Sequence, residues 1–203
     1  MKSKLFIICA SLLSFSYVIS SCKKSDDTMQ AATLYDTLGW FVQGASSSMS
    51  ITGQGTKLIN DPANSGTTIQ AGRLAIRTVV DSAIFVIAGD PQMDPYFATL
   101  LTEVGAGNLT GFTALSKTFT DFLEQAISGQ QIYKGLSMTA AHNHSTNVRF
   151  GSTTTPTADS SDFNQFVSDI ATAATTQVGV PSGVVKELGA LLYTTEGAVV
   201  QSK

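Results

Sequence analysis

The chain has 203 residues, of which 43% are hydrophobic and only 13% charged, with 12 basic against 15 acidic side chains and a net charge of −3. That length and composition suit one domain with an apolar core, and they exclude disorder of the whole chain. They also exclude a nucleic-acid binder, which needs a stripe of Lys and Arg to displace counterions from phosphates.

In chain order, Lys2 and Lys4 precede a run from Leu5 to Ile19 that is apolar apart from scattered Ser. This is the layout of a secretory signal, too short for a comfortable membrane span. The run ends Ile19-Ser20-Ser21-Cys22, which resembles a bacterial lipobox. The resemblance implies cleavage before Cys22, lipidation of its thiol and acylation of the new amine. The following Lys23-Lys24-Ser25-Asp26-Asp27 is similar to tags that direct some Gram-negative lipoproteins to the outer face of the outer membrane, and it reads equally as a solvated linker. The expected organisation is a signal peptide over 1–21, a polar tether over 22–32 and one domain over 33–203. The expected location is the outer membrane, lipid-anchored, on its periplasmic or cell-surface side. Cys9 leaves with the signal, so the mature domain has neither a disulfide nor a thiolate metal site.

Within the domain, Thr33 to Val42 reads as a short helix, and Gly44 to Gly72 is dense in Gly, Ser and Thr turn signals. Arg73 to Ala88 is almost wholly apolar and long enough to favour a buried helix, stopped by Gly89-Asp90-Pro91. In Leu109 to Ile127, Phe112, Leu115, Phe119, Phe122, Leu123 and Ala126 fall on one helical face, and Gly129 ends the segment. Ser160 or Ser161 is placed to cap a helix with Phe163, Phe166, Val167, Ile170 and Ala174 on one stripe, closed by Gly179. Pro181 opens a last helix striped by Val184, Leu188, Leu191, Leu192 and Val199. Four long apolar-faced helices predict an all-α domain.

The mature chain has two histidines, His142 and His144, two residues apart and therefore not on one helix face, so an H-x-x-x-H zinc pair is absent. No G-x-S-x-G elbow, P-loop or dinucleotide fingerprint occurs, and nothing nominates a Ser-His-Asp triad. The blocks LYDTLGW (34–40), AIRTVVDSAIFVIAGDPQMDPYF (75–97), FTALSKTFTDFLEQAISG (112–129) and IYKGLSMTAAH (132–142) nevertheless stand in a telling order. Tyr96-Phe97, Tyr133-Lys134-Gly135, Met138 four residues before His142, and Gly179-Val180-Pro181 complete the pattern. Together they resemble group 1 truncated haemoglobins, with gapless spacing from Leu115 to His142.

The resemblance implies an all-α, two-over-two globin-like helical sandwich, with long inserts over 41–70 and 143–159. It implies one haem whose iron is held by His142. It puts Phe97 against the porphyrin and Ile84, Leu115 and Phe119 around a diatomic gas (O2, NO or CO). Phe122, on one helical face with Leu115 and Phe119, then belongs to the distal wall, and Met138, four residues before His142, to the proximal face of the haem. Haem is an apolar disc that needs facing helices rich in Phe, Leu and Met plus an imidazole, which these residues can supply. Two departures stand out: Ala83-Ile84 replaces the family's aromatic–Tyr pair, and Leu115 and Phe119 occupy the region where a distal Gln is often found. The expected role is therefore gas binding at a pocket that is apolar on its distal side. A haem-dependent NO dioxygenase or peroxidase, and a haem-free surface interaction module, are the alternatives. The inserts are expected to be flexible surface or pocket cover.

Overall fold

The computed structural model describes residues 32–144 and 156–201. Cys22, its neighbouring tag and most of the 143–159 insert lie outside the described residues. Those described form an all-α fold with eight α-helices and one two-stranded hairpin. No helix among them is long and apolar enough to cross a membrane.

Helix α1 (Leu34–Val42) starts at Thr33, whose hydroxyl accepts the Asp36 N–H at 3.0 Å. The Asp36 carboxylate in turn accepts the Gly55 N–H at 3.0 Å, which docks the following loop onto the helix. That loop is ordered. It carries an antiparallel hairpin, β1 (Leu58–Asn60) with β2 (Thr68–Gln70), in the register Ile59 opposite Ile69. Asp61 closes the hairpin by accepting from Asn64 and Ala63 and pairs with Arg77 at 2.6 Å. The 41–70 insert is thus a packed appendage of the first helices.

Helix α2 (Ala71–Ile87) follows β2 directly and is the axis of the core, with ten of its 17 residues buried. It packs on α1, on α4 (Thr110–Ser128) and on α6 (Ser160–Thr172). Ile76, Val79 and Val80 meet Leu38, Leu123 and Ile170 at its centre. Gly89-Asp90-Pro91 ends α2, but the chain re-enters helix at once as α3 (Asp94–Gly105), with Pro95 in its first turn. α4 ends at Gly129 in the left-handed conformation (φ 73°), as its sequence position predicts. A short α5 (Met138–Ala141) follows.

The capping residue of α6 is Asp159, not Ser160 or Ser161. Its carboxylate accepts the Ser161 and Asp162 N–H groups, and the Asp162 carboxylate reaches back to the Asp159 N–H, a complete capping box. α6 widens into a π-turn over Ala173–Val178 and stops at Gly179, φ 78°. Pro181 precedes α7 (Ser182–Tyr193), and the expected last helix is broken there, resuming as α8 (Glu196–Val199). The Gln201 N–H returns to the Ala158 carbonyl at 2.9 Å and ties the end of α8 to the start of α6.

Candidate functional site

Helix α4 divides the molecule. Its fully buried residues are Gly111, Ser116, Thr120, Asp121, Leu123 and Glu124, most of them polar. Of its Phe and Leu stripe, Leu123 is buried, while Phe112, Leu115, Phe119 and Phe122 are all intermediate in exposure. The apolar stripe of a surface helix ordinarily turns inward against its neighbours. Here Leu115, Phe119 and Phe122 face a cavity of about 410 Å³.

The side chains singled out from the sequence for the haem site all line that one cavity: Ile84 from α2, Phe97 from α3, Leu115, Phe119 and Phe122 from α4, and Met138 and His142 from α5 and its cap. They are spread over 59 positions of chain, so only the tertiary fold brings them together. Met93, Tyr96, Leu100, Tyr133, His144, Asp162, Phe163, Phe166 and Leu192 complete much of the wall. The volume is within the roughly 300–1,000 Å³ of small-molecule and cofactor sites.

Local chemistry explains how the His142 segment is held. Gln125 Oε1, on α4, accepts the N–H groups of Ile132 at 3.1 Å and Tyr133 at 3.0 Å. The Tyr133 ring packs edge-on to Phe122, centroids 5.7 Å apart, and its hydroxyl donates to the Leu136 carbonyl at 2.7 Å. That fold-back puts the phenol where a Cβ at residue 135 would stand, so the Y-x-G spacing needs Gly135. Ser137 then caps α5 by accepting the Ala140 N–H. At the far end of this one turn, His142 Nδ1 lies 2.8 Å from the Met138 carbonyl. With Nδ1–H donating to that carbonyl, the neutral imidazole carries its lone pair on Nε2, the arrangement usual for a metal-ligating histidine. Burial holds the His142 ring below its ordinary pKa, with the Met138 carbonyl partly opposing and His144 adding to the shift. At neutral pH the ring is in its ligating, uncharged form.

The wall is not wholly apolar. Tyr96, Thr99, Thr118, Tyr133 and Thr195 line it, and four of these hydroxyls donate to the protein: Tyr96 to Asp162 Oδ2 at 2.6 Å, Tyr133 to Leu136, Thr118 to Ala114 at 2.7 Å and Thr195 to Leu192 at 2.7 Å. Asp162 is the one carboxylate in the wall. Burial alone would raise its pKa, but the Tyr96 hydroxyl, the Asp159 N–H and Gln92 outweigh burial and hold it below the usual carboxylate range. The clasp formed by Tyr96, Gln92 and Asp162 has no signal in the sequence, because its partners are 66 and 70 residues apart. Gln125 was equally hidden: an exposed-looking Gln in a helix has no periodic signature.

Asp121 and Glu124 face away from the cavity. Arg73 pairs with Asp121 Oδ1 at 2.7 Å and with Glu124 Oε2, and Lys117 reaches Asp121 at 2.5 Å. Tyr35 donates to Glu124 Oε1 at 2.8 Å. Burial, then the Glu124 carboxylate, push the Tyr35 phenol above its ordinary pKa. No group of three or more His, Cys, Asp or Glu placed to hold a metal ion occurs among the described residues. A bare ion held by protein alone wants about four ligands, whereas a metal already seated in a macrocycle needs a single axial imidazole. Among the described residues the cavity wall offers two imidazoles, His142 and His144, and the Asp162 carboxylate.

Compared with protein-family models, with curated proteins and with solved structures, the chain matches none of them.

Proposed function

We propose that the cavity is a haem site, with His142 as the axial ligand and Phe97, Phe122 and Met138 against the porphyrin. The observation that carries this reading is the convergence on one cavity of all seven residues the truncated-haemoglobin pattern selects. The helix arrangement supports it: α2 packs on α4 and on α6, and α6 packs on α7, as two crossed helix pairs would. When bound, haem supplies an iron at which a diatomic gas can coordinate. The chain's own residues hold the axial imidazole neutral and oriented, exclude water with Ile84, Leu115 and Phe119, and keep the protons of four surrounding hydroxyls on protein acceptors. Among the described residues no Lys or Arg lines the cavity.

Binding of O2, NO or CO is favoured over peroxide or dioxygenase chemistry. Asp121 and Glu124 are held in the Arg73 network, and Asp162 is ionised and occupied by donors. The protein works as an exported lipoprotein anchored through Cys22, which Cys22→Ala, followed by fractionation of membranes, tests directly. The haem reading is tested by titrating hemin into the purified mature chain. One equivalent should give a saturating Soret band, retained in His144→Ala. A spectrum that stays that of free hemin would overturn it.

A further inference from the structure

We infer that α3 is the movable wall of the cavity, and that the Asp162 carboxylate on α6 is its latch. A ligand that fills much of this cavity touches several walls at once, so its exchange depends on the wall that is least firmly seated. The walls differ greatly in how firmly they are seated. α2 has ten buried residues, and α4 and α6 have six and four. α3 is 12 residues long and buries only Leu100, although it supplies Tyr96, Phe97, Thr99 and Leu100 to the lining. α5 also buries none of its four residues, but Gln125 and Tyr133 pin the segment leading to it onto α4.

What joins α3 to α6 is polar. Tyr96 donates to Asp162 Oδ2 at 2.6 Å, and Gln92, in the turn before α3, donates to Asp162 Oδ1 at 3.2 Å. Both bonds converge on one side chain, and it is a carboxylate, so they are the stronger, charge-assisted kind. Chain freedom on both sides is available: Gly89 precedes the turn, and Gly105-Ala106-Gly107 follows, with Gly107 at φ +79° and open space around it. A helix with little apolar burial, tied to α6 by Tyr96 and by the Gln92 and Asp90 side chains of the turn before it and flanked by glycines, opens locally at far less than the cost of global unfolding. Asp162 serves α6 as well, through its capping box with Asp159, so the closed position of α3 is set by the rigid first turn of α6.

The test is amide hydrogen exchange on the full mature chain, with hemin release as a second arm. In the free protein, amides of α3 should exchange faster than those of α2, α4 and α6. Tyr96→Phe should raise exchange in α3 alone by roughly tenfold, the value of one hydrogen bond to a charged acceptor. Thr33→Ala, which removes the side-chain cap of α1, should raise exchange in the first turn of α1 and leave α3 near wild type. With hemin loaded, Tyr96→Phe should speed release to an excess of a haem acceptor by a similar factor without moving the Soret band. Because the exchange arm needs no haem, failure of hemin to bind would leave the latch tested on its own. Exchange in α3 no faster than in α2, or unchanged by Tyr96→Phe, would overturn the proposal.

Discussion

The two faces of α4 are built to opposite rules. On the face toward α1 and α2, the buried Asp121, Glu124 and Tyr35 are matched by one another and by the half-buried Arg73, the exposed Lys117 also reaches Asp121, and Gly72 is pressed against the Tyr35 ring. On the face toward α3, α5 and α6, large apolar side chains are only half covered and enclose space. The first face is finished by the chain alone. The second leaves its apolar side chains around open volume, and on the proposed reading a ligand completes it.

The largest effect should come from breaking the finished face. Arg73→Ala leaves two buried carboxylates without their main partner and should cost about 3–5 kcal/mol of stability, read from urea unfolding, with little change in hemin affinity while the protein remains folded. Gly72→Ala comes next. Its Cβ would lie 2.6 Å from the Tyr35 ring, and overpacking of that kind costs about 1–3 kcal/mol. On the other face the pattern should invert: Phe119→Ala removes a half-covered ring, so it should cost about 1 kcal/mol or less in the empty protein, below the range for a fully buried Phe. Its main effect should be weaker hemin binding. Equal stability losses for Phe119→Ala and Gly72→Ala would erase the contrast.

Much of this was readable from the chain. Helical periodicity located α1, α2, α4, α6 and α7 to within a few residues, and Gly129 and Gly179 end their segments as expected. The cavity residues were readable because Met138, His142 and the Phe stripe keep fixed spacings along segments that remain single elements. What escaped depends on distant partners. The 58–70 hairpin has strands of three residues, too short to show alternation, and is stabilised by Asp36 and Arg77 from outside it. α3 carries no clean stripe because one face lines a cavity and the rest meets solvent. The buried polar network of α4 was hidden because Asp121 and Glu124 are matched by Arg73, 48 and 51 residues away.

A smaller effect sharpens the comparison at the junction of the two faces. Asp169 is buried on α6, with Oδ1 accepting from Gln165 at 3.0 Å and Oδ2 without a hydrogen-bond partner. Burial, then the nearby Asp90 carboxylate, raise its pKa above the ordinary 3.8. The native state therefore keeps this proton longer than the unfolded chain. The resulting stabilisation is complete below the ordinary carboxyl pKa and is lost as pH rises through the raised value. Asp36, Asp121 and Asp162 are held low and run the other way, losing stability as pH falls. Urea midpoints measured from about pH 4 to 7 should show wild type losing ground to Asp169→Asn as pH rises. A constant difference would mean that Asp169 titrates normally.

The central claim is that His142 is the axial ligand of a haem in this cavity, and the most direct test is replacement and rescue of that imidazole. In the mature chain, wild type should bind one equivalent of hemin with an intense Soret band. His142→Gly should lose that spectrum and regain it when free imidazole is added, because the cavity walls remain in place and only the donor is missing. A His142→Gly protein that binds hemin with the wild-type spectrum in the absence of imidazole would contradict the account.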